Sequence, residues 1–285
     1  MMSQLSGKKL PYRVELIRQL RRRRTLVAFA LMLLLPLIVV LAIKYGPSGE
    51  NSSDASAGLA GGNFDLIDLA TSSAMNFTVV MIFFATGFLL TTVFALFTGD
   101  TVASEASWAS LRYLLAAPVP RRRLLAVKLC VAMTLNLLAL VVLILFSYGL
   151  GVIAFGNGAF VSPVGGTFEG SQAIWRLLVI AGYVYLTLLF VSGIAFFMSV
   201  RTDVPLGAVG TAVMLVIVLA ILDAITALGD LRNWLPGHYS QAWTDALGPE
   251  IIWDTMAKGA AFTIVPFIFL VTAAILKFDR KDVMS

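Results

Sequence analysis

The sequence contains six stretches of 18 to 40 residues that carry no Asp, Glu, Lys or Arg. A helix that crosses the hydrocarbon core of a bilayer needs about 20 mostly apolar residues. Hydrophobic types make up 59% of the 285 residues and charged types 13%, which leaves a water-soluble fold too little interior to hide its apolar surface. The composition therefore argues against an ordinary soluble enzyme, a disordered chain and a nucleic-acid-binding domain.

The uncharged stretches predict an all-α integral membrane protein with six transmembrane helices. Because hydrocarbon offers no partner to a bare peptide group, each span should be helical. Pro36 and Pro266 fall inside the first and last spans, where proline is tolerated, and Pro205 opens the fifth span, where its missing N–H costs nothing. We place the spans near 25–45, 74–98, 129–154, 175–199, 204–226 and 258–277.

The distribution of basic residues predicts the orientation. Seventeen of the 21 Lys and Arg residues lie before span one, between spans two and three, between spans four and five, or after span six. Loops rich in Lys and Arg face the cytoplasm, so both termini are predicted to be cytoplasmic in a multi-pass protein of the cell membrane. The net charge of +5 is then a signal of topology and requires no nucleic acid as a partner.

The segment that precedes span one can form an amphipathic helix. Val14, Ile17 and Leu20 fall on one side at helical spacing, whereas Arg18 and Arg22 point away from it. We expect this helix to lie in the headgroup layer at the cytoplasmic surface, unless the segment is only an anchor for topology. The candidate residues of this interfacial N-terminal helix are Val14, Ile17, Arg18, Leu20 and Arg21.

The cytoplasmic loop between spans two and three, over 99–128, is the most informative segment. We expect a short helix from Thr101, which can cap it, to about Ala116, before Pro118 and Pro120 break it. The segment is apolar on much of its surface but too short to cross a bilayer. Such a helix should bind a protein partner or the membrane surface.

This loop resembles the corresponding loop of the permease subunits of ABC-2-type ATP-binding-cassette exporters. That family carries a glutamate, Gly-Thr-Leu, a Leu-Leu pair, Pro-Val-Ser-Arg, a further Leu-Leu pair and a lysine between its second and third spans. The corresponding residues here are Glu105, Ala109-Ser110-Leu111, Leu114-Leu115, Pro118-Val119-Pro120-Arg121, Leu124-Leu125 and Lys128. The register is held throughout, and Ala109, Ser110 and Pro120 depart from the family's glycine, threonine and serine. The tail that begins at Phe278 is similar to the family's aromatic-basic-Asp ending.

The resemblance implies one transmembrane permease domain over 1–285, with a cytoplasmic coupling helix after span two and an outer loop or helix over 228–257. In that family, the loop and the N-terminal helix sit on a separate nucleotide-binding subunit, whose ATP-driven closure moves the spans. The alternative is that the arginines only hold topology and that Glu105 is merely solvated. The candidate residues of the ATPase-coupling interface are Glu105, Trp108, Leu111, Arg112, Leu115, Pro118, Arg121, Arg122 and Lys128.

The sequence lacks the G-x-x-x-x-G-K-[ST] motif that binds ATP phosphates. If transport is ATP-driven, ATP and Mg would therefore be bound by a partner ATPase, and we expect no cofactor in this chain. A single cysteine and a single histidine exclude an intrachain disulfide and two-His zinc motifs, so neither a metal site nor a catalytic residue is predicted. The expected partners are a cytoplasmic ABC ATPase, a second copy of the permease or a paralogous permease, and membrane lipids.

Polar residues inside spans two and three are candidates for lining a pathway, although threonine in a membrane helix usually bonds its own backbone. These candidates are Asn76, Thr86, Thr91 and Asn136. Asp223, near the outer end of span five, is expected to snorkel or to cap the helix. Two functions stay open: a permease subunit that exports a substrate, which is not itself an enzyme, and an ATPase-independent membrane scaffold or small intramembrane enzyme.

Overall fold

The computed structural model describes residues 12–45, 66–107, 120–163 and 165–280, and most of them are helical. The α-helices are α1 (Tyr12–Leu20), α2 (Arg23–Tyr45), α3 (Leu66–Ser72), α4 (Ala74–Gly87), α5 (Leu89–Ser107), α6 (Arg121–Phe155), α7 (Gly170–Arg201), α8 (Pro205–Ala224) and α9 (Trp253–Asp279). Strands β1 (Phe160–Val161) and β2 (Thr167–Phe168) form a short antiparallel hairpin. Two 3₁₀ segments, η1 (Thr226–Trp234) and η2 (His238–Leu247), join α8 to α9.

Helices α2, α6, α7, α8 and α9 are each long and apolar enough to cross a membrane. Helices α4 and α5 are long and apolar enough to cross a membrane only when they are taken together. They are bent by 57° at the break between them. The described residues therefore hold five candidate spans, or six if the bent pair counts as one, which is the architecture of a multi-pass membrane protein. The predicted all-α fold is confirmed at this level, and Pro205 opens α8 as expected.

The bundle has two chemically different ends. At one end, Arg121 of α6 donates a hydrogen bond to the carbonyl oxygen of Asp279 in α9 at 3.1 Å, and we call this the basic end. At the opposite end, which we call the hairpin end, the hydroxyl of Ser162 donates to the carbonyl oxygen of Leu247 at 2.5 Å. The basic end also holds an apolar cluster, which brings together the ends of α5, α6, α7 and α9. This cluster comprises Val102, Leu124, Leu125, Phe196, Val200, Ala274 and Phe278.

The expected start of a separate helix at Thr101 is wrong. Helix α5 continues without a break to Ser107, and the hydroxyl of Thr101 donates back to the carbonyl oxygen of Thr98 at 2.7 Å. Packing overrides the sequence signal here, because residues 98–105 are all buried against neighbouring helices. The loop predicted over 99–128 is correspondingly shorter, since α6 already begins at Arg121, and residues 108–119 lie outside the described part of the chain.

The bend between α4 and α5 is stabilised by threonine side chains. Phe88 interrupts the helix with φ −138° and ψ −49°. The hydroxyl of Thr91 donates to the carbonyl oxygen of Thr86 at 2.9 Å, and the hydroxyl of Thr86 donates to the carbonyl oxygen of Ile82 at 2.6 Å. These bonds supply partners to carbonyl groups near the break, which is how a kinked helix is tolerated in hydrocarbon.

Helix α7 is the central helix of the bundle. Half of the residues in its most apolar 18-residue stretch are buried, compared with 17% in the corresponding stretches of α8 and α9. It packs against α5, α8 and α9. Near its end, the hydroxyl oxygen of Ser199 accepts hydrogen bonds from the backbone N–H groups of Val102 at 3.1 Å and Ala103 at 3.0 Å. These bonds tie the last turns of α5 to the central helix, so the two helices meet as one unit at the basic end.

The hairpin end is closed by the 3₁₀ segment η2, which is fastened to α7 by one arginine. The guanidinium of Arg176 donates to the carbonyl oxygens of Ala246, Gly248 and Pro249 at 2.6 to 2.7 Å. Its central carbon also lies 3.7 Å from the ring centroid of Phe168 in β2, within the range of a cation–π contact. A single buried side chain thus fixes η2, the hairpin and α7 to one another.

Gly259 allows α9 to approach η2 and α7 closely. A Cβ atom placed on Gly259 would lie 2.7 Å from the Cβ of Tyr239 and closer still to the hydroxyl oxygen of Tyr183. That hydroxyl is already committed, because it donates to the carbonyl oxygen of Tyr239 at 2.7 Å. The position therefore has no room for a methyl group unless this contact breaks.

We predict that Gly259→Ala destabilises the protein by about 1–3 kcal/mol, because it overpacks a closed helix contact. The matched control is Gly210→Ala in α8, where a Cβ would meet nothing within 4 Å. That change should be neutral or should stabilise by up to about 1 kcal/mol, since alanine loses less backbone freedom in a helix. Thermal unfolding of both variants in one detergent compares them, and equal midpoints would contradict the packing described for Gly259.

Candidate functional site

Four charged side chains from three helices meet at the basic end, and we call them the ion cluster. Helix α1 contributes Glu15 and Arg18, which face the same way because they are three residues apart. Helix α5 contributes Glu105 from its last turn, and α6 contributes Lys128 from its third turn. The cluster thus joins the N-terminal helix to both helices that flank residues 108–119.

The two carboxylates of the ion cluster share the same two cations. The Nζ atom of Lys128 lies 2.6 Å from Glu105 Oε1 and 3.5 Å from Glu15 Oε1. The guanidinium of Arg18 lies 2.5 Å from Glu105 and 2.7 Å from Glu15, so it bridges α1 and α5. Gln19 completes the group by donating to Glu15 Oε1 at 3.0 Å.

The burial of the ion cluster makes its pairing energetically important. The side chains of Lys128, Glu105 and Glu15 are only 1%, 3% and 4% exposed, whereas Arg18 is 45% exposed. Two anions and two cations balance, so the cluster carries no net charge out of water. Removing one partner from such a group strands a buried charge, which typically costs about 3–5 kcal/mol.

The environment of Glu15 favours its charged form. Burial by itself raises the pKa of this carboxyl, but the nearby charge of Lys128 and hydrogen bonds from Arg18 and Gln19 outweigh burial and hold the pKa below its ordinary value of 4.5. The carboxylate is therefore ionised at neutral pH. It is available there as a permanent acceptor that holds α1 against the bundle.

A second group of charges lies one helical turn away from the ion cluster. Arg22 and Arg24, at the junction of α1 and α2, both pair with the buried carboxylate of Asp100, and the Arg22 distance is 2.9 Å. Arg22 also donates to the hydroxyl of Ser104 at 3.3 Å. These contacts repeat the pattern of the ion cluster, because they again fasten the N-terminal segment to the last turns of α5.

The hairpin end contains a cavity of about 230 Å³ beside the bend between α4 and α5. Thr86 and Thr91 line it from the bend, Asp223 lines it from the end of α8, and Ser240 and Gln241 line it from η2. The carboxylate of Asp223 forms a hydrogen bond with His238 Nδ1 at 2.6 Å, and it lies 3.7 Å from the guanidinium of Arg232. The cavity therefore has hydroxyl, amide and carboxylate groups on its wall.

Comparison with known families places the chain in one of them. The model of a family described as protein of unknown function (DUF2705) matches residues 63–284. The chain belongs to that family. No curated protein matches the chain.

The structure brings two of the nine predicted coupling residues, Glu105 and Lys128, into direct contact. Arg121 and Arg122 are directed elsewhere, since they bind the carbonyl and the carboxylate of Asp279, the latter at 2.7 Å. Trp108, Leu111, Arg112, Leu115 and Pro118 lie outside the described residues.

The N-terminal helix turns its polar face toward the bundle, a contact that the sequence did not predict. Arg18 lies on that face and reaches Glu105. Val14 and Ile17 are 59% and 51% exposed, Arg21 is exposed and Leu20 packs against the core from a partly buried position. This orientation has a physical reason: Glu15 and Arg18 on the polar face meet the buried side chains of Lys128 and Glu105.

The four candidate pathway residues separate into two pairs. Thr86 and Thr91 line the cavity at the hairpin end, and both also bond to backbone carbonyls. Asn76 and Asn136 lie elsewhere and are fully buried. The amide of Asn76 donates to the carbonyl of Val161 at 2.6 Å and accepts from its N–H at 2.9 Å, and the amide of Asn136 donates to the hydroxyl of Ser192 at 3.2 Å. The first pair lies at an opening, whereas the second pair joins elements of the bundle.

Sequence reasoning missed Glu15, Asp100 and the pairing of Arg22 and Arg24 with Asp100. One signal for Glu15 was present, since it is the only acidic residue before Glu50 in a segment crowded with Lys and Arg. Asp100 carried no comparable signal, because a charge next to an apolar run normally marks the end of a span.

We predict that Lys128→Met destabilises the protein by about 3–5 kcal/mol, because Glu15 and Glu105 would then share Arg18 alone. Adding Glu105→Gln to that variant should recover part of the loss, since one stranded carboxylate disappears. Lys44→Met is the control, as Lys44 is exposed at the end of α2 and should change stability by less than about 0.5 kcal/mol. Unfolding in detergent measures all three, and equal stabilities of the two single variants would contradict the role of Lys128.

We further predict a pH dependence that Glu15→Gln removes. A carboxyl whose pKa is lower in the folded state contributes stability above its ordinary pKa and loses it as the pH falls through the folded value. The stability difference between wild type and Glu15→Gln should therefore shrink as the pH falls below the ordinary pKa of about 4.5. Unfolding series at several pH values test this, and a difference that stays constant with pH would contradict it.

Proposed function

We propose that this chain is the membrane-spanning permease subunit of an ATP-driven, ABC-type exporter, which couples ATP hydrolysis by a separate subunit to outward translocation of a substrate. The observation that carries the proposal is the ion cluster. It joins α1 to the two helices that flank residues 108–119, and these are the elements that sit on the ATPase in the ABC-2 permeases that the sequence resembles. A docked ATPase would thus contact three helices, α1, α5 and α6, that buried ion pairs hold together.

The contacts beyond the ion cluster support the transmission of a movement from the basic end to the cavity at the hairpin end. Helix α5 is tied to the central helix α7 through Ser199, so displacement of α5 would carry α7 with it. At its other end, α5 meets α4 at the 57° bend, and that bend borders the cavity lined by Thr86 and Thr91. Rigid-body movement of α5 would therefore change the cavity, which is the behaviour required for alternating exposure of a substrate.

The proposed orientation puts the basic end in the cytoplasm and the hairpin end outside. The excess of Lys and Arg at the basic end supports this choice through the positive-inside rule. Both termini are then cytoplasmic, and the protein resides in the cell membrane. Outward export follows as the direction in which a cytoplasmic motor would drive a cavity that opens at the hairpin end.

The proposed assembly contains a cytoplasmic ABC ATPase, which would bind ATP and Mg, and a second permease that is either an identical copy or a paralogous chain. Exposed apolar side chains on α8, among them Leu206, Met214 and Ile221, offer a surface either to that second permease or to lipid. This chain acts in the proposal as a transport subunit and not as an enzyme.

The test begins with the full chain, tagged in its native membrane and purified in a mild detergent. We expect a P-loop ATPase to copurify in equimolar amount. In nanodiscs, Arg18→Gln should lower the ATPase rate of this complex by about tenfold or more, because it breaks the bridge between α1 and α5 but leaves the buried pair of Lys128 and Glu105 intact. Thr272→Val is the matched control, since Thr272 is exposed on α9 and its hydroxyl bonds only its own helix.

A second readout follows the hairpin end directly. Replacing Cys130 by serine removes the single native cysteine, and Ser240→Cys then places one thiol on the cavity wall. We expect a membrane-impermeant maleimide to label this thiol from outside, at a rate that changes when ATP is added and that stops responding in the Arg18→Gln background. Absence of an ATPase partner, or labelling from the cytoplasmic side, would contradict the proposal and favour an ATPase-independent membrane protein.

A further inference from the structure

A second opening lies at the basic end, where the last turns of α7 and α9 diverge. Its volume is about 590 Å³. Three cationic side chains line it, Arg201 from α7 and Lys277 and Arg280 from α9, together with an apolar wall formed by Phe197, Ala273 and Leu276. The opening is separate from the ion cluster, since none of its lining residues belongs to that group.

The three cations differ from their neighbours in lacking counter-ions. Among the described residues, Arg201, Lys277 and Arg280 form no ion pair, whereas Arg22, Arg24 and Arg122 at the same end each pair with a carboxylate. The closest carboxylate in sequence on α9, that of Asp279, is turned away to Arg122 at 2.7 Å. The opening thus presents three exposed positive charges side by side.

The position of the opening adds a second constraint. Arg201 and Lys277 directly follow the uncharged stretches 177–200 and 259–276, so the cations stand where the apolar part of the two helices ends. In a bilayer, that level is the headgroup layer, and the wall of Phe197, Ala273 and Leu276 extends from it toward the hydrocarbon. Cationic pockets between transmembrane helices at this depth suit an anionic headgroup.

We propose that this opening is a binding site for one anionic phospholipid. The phosphate group would lie among Arg201, Lys277 and Arg280, and an acyl chain would follow the apolar wall between α7 and α9. Free phosphate would satisfy the same charges but would leave the apolar wall empty. The proposal depends on the membrane-spanning fold alone and not on the coupling to an ATPase.

The test uses the purified full chain and native mass spectrometry, with added phosphatidylglycerol or phosphatidylcholine as the probe. We expect wild type to bind one phosphatidylglycerol with a clear preference over phosphatidylcholine. The triple variant R201Q/K277Q/R280Q should weaken that binding by about tenfold or more, because three attractive charges are lost. The matched control is R13Q/R23Q/R123Q, which removes three exposed cations from the same end of the bundle.

A photoactivatable phosphatidylglycerol provides a readout that needs no variant. It should crosslink to residues 273–280 and to the end of α7 in wild type. Equal binding to the triple variant and to the control would overturn the proposal, as would equal affinity for phosphatidylcholine or a crosslink confined to other helices. Displacement of the lipid by inorganic phosphate at constant ionic strength would also overturn it, because it would reveal a simple anion site.

Discussion

The buried salt bridge between Lys128 and Glu105 is the interaction on which the architecture of the basic end depends. Both side chains are buried, so the attraction between their opposite charges must offset the cost of removing them from water. Glu15 and Arg18 enlarge this pair into a neutral group of four and thereby place α1 beside α5 and α6. These directional charge contacts fix the position of α1 against the two helices.

The need of polar groups for partners within the protein also explains the bend between α4 and α5 and the closure at the hairpin end. Carbonyl groups near the break after Gly87 accept hydrogen bonds from threonine hydroxyls. At the hairpin end, one carbonyl in the last turn of η2 and two just after it accept hydrogen bonds from the guanidinium of Arg176. Carbonyl groups outside a regular helix lack an intrahelical N–H partner, so side chains supply the hydrogen bond where water does not. Both interruptions of the helical bundle are stabilised in this way.

Much of the fold was predictable from the sequence, because uncharged runs report directly on the hydrocarbon thickness. The helices from Arg23, Gly170, Pro205 and Trp253 begin within about five residues of the predicted spans. The bend after Gly87 was not predictable, since no proline and no charged residue interrupts the run there. The burial of Asp100 was missed for a different reason: its arginine partners are more than 75 residues away in sequence, and a pattern along the chain carries no information about such a pairing.

The candidate site was likewise predictable only in part from the sequence. Glu105 and Lys128 were identified from a local motif, and they do meet in space. Their further partners on α1 could not be derived, because helical spacing alone gave α1 an apolar face and did not say whether that face would turn toward the protein or toward the membrane. The exposed positions of Val14 and Ile17 show that the neighbours of Glu15 decided this orientation.

The arginine that fastens η2 has one further consequence. Arg176 of α7 is held by three peptide carbonyls and an aromatic ring. Tyr183 of the same helix adds a second attachment, because its hydroxyl donates to the carbonyl oxygen of Tyr239 at 2.7 Å. Both attachments start from α7, so η2 would follow any displacement of the central helix.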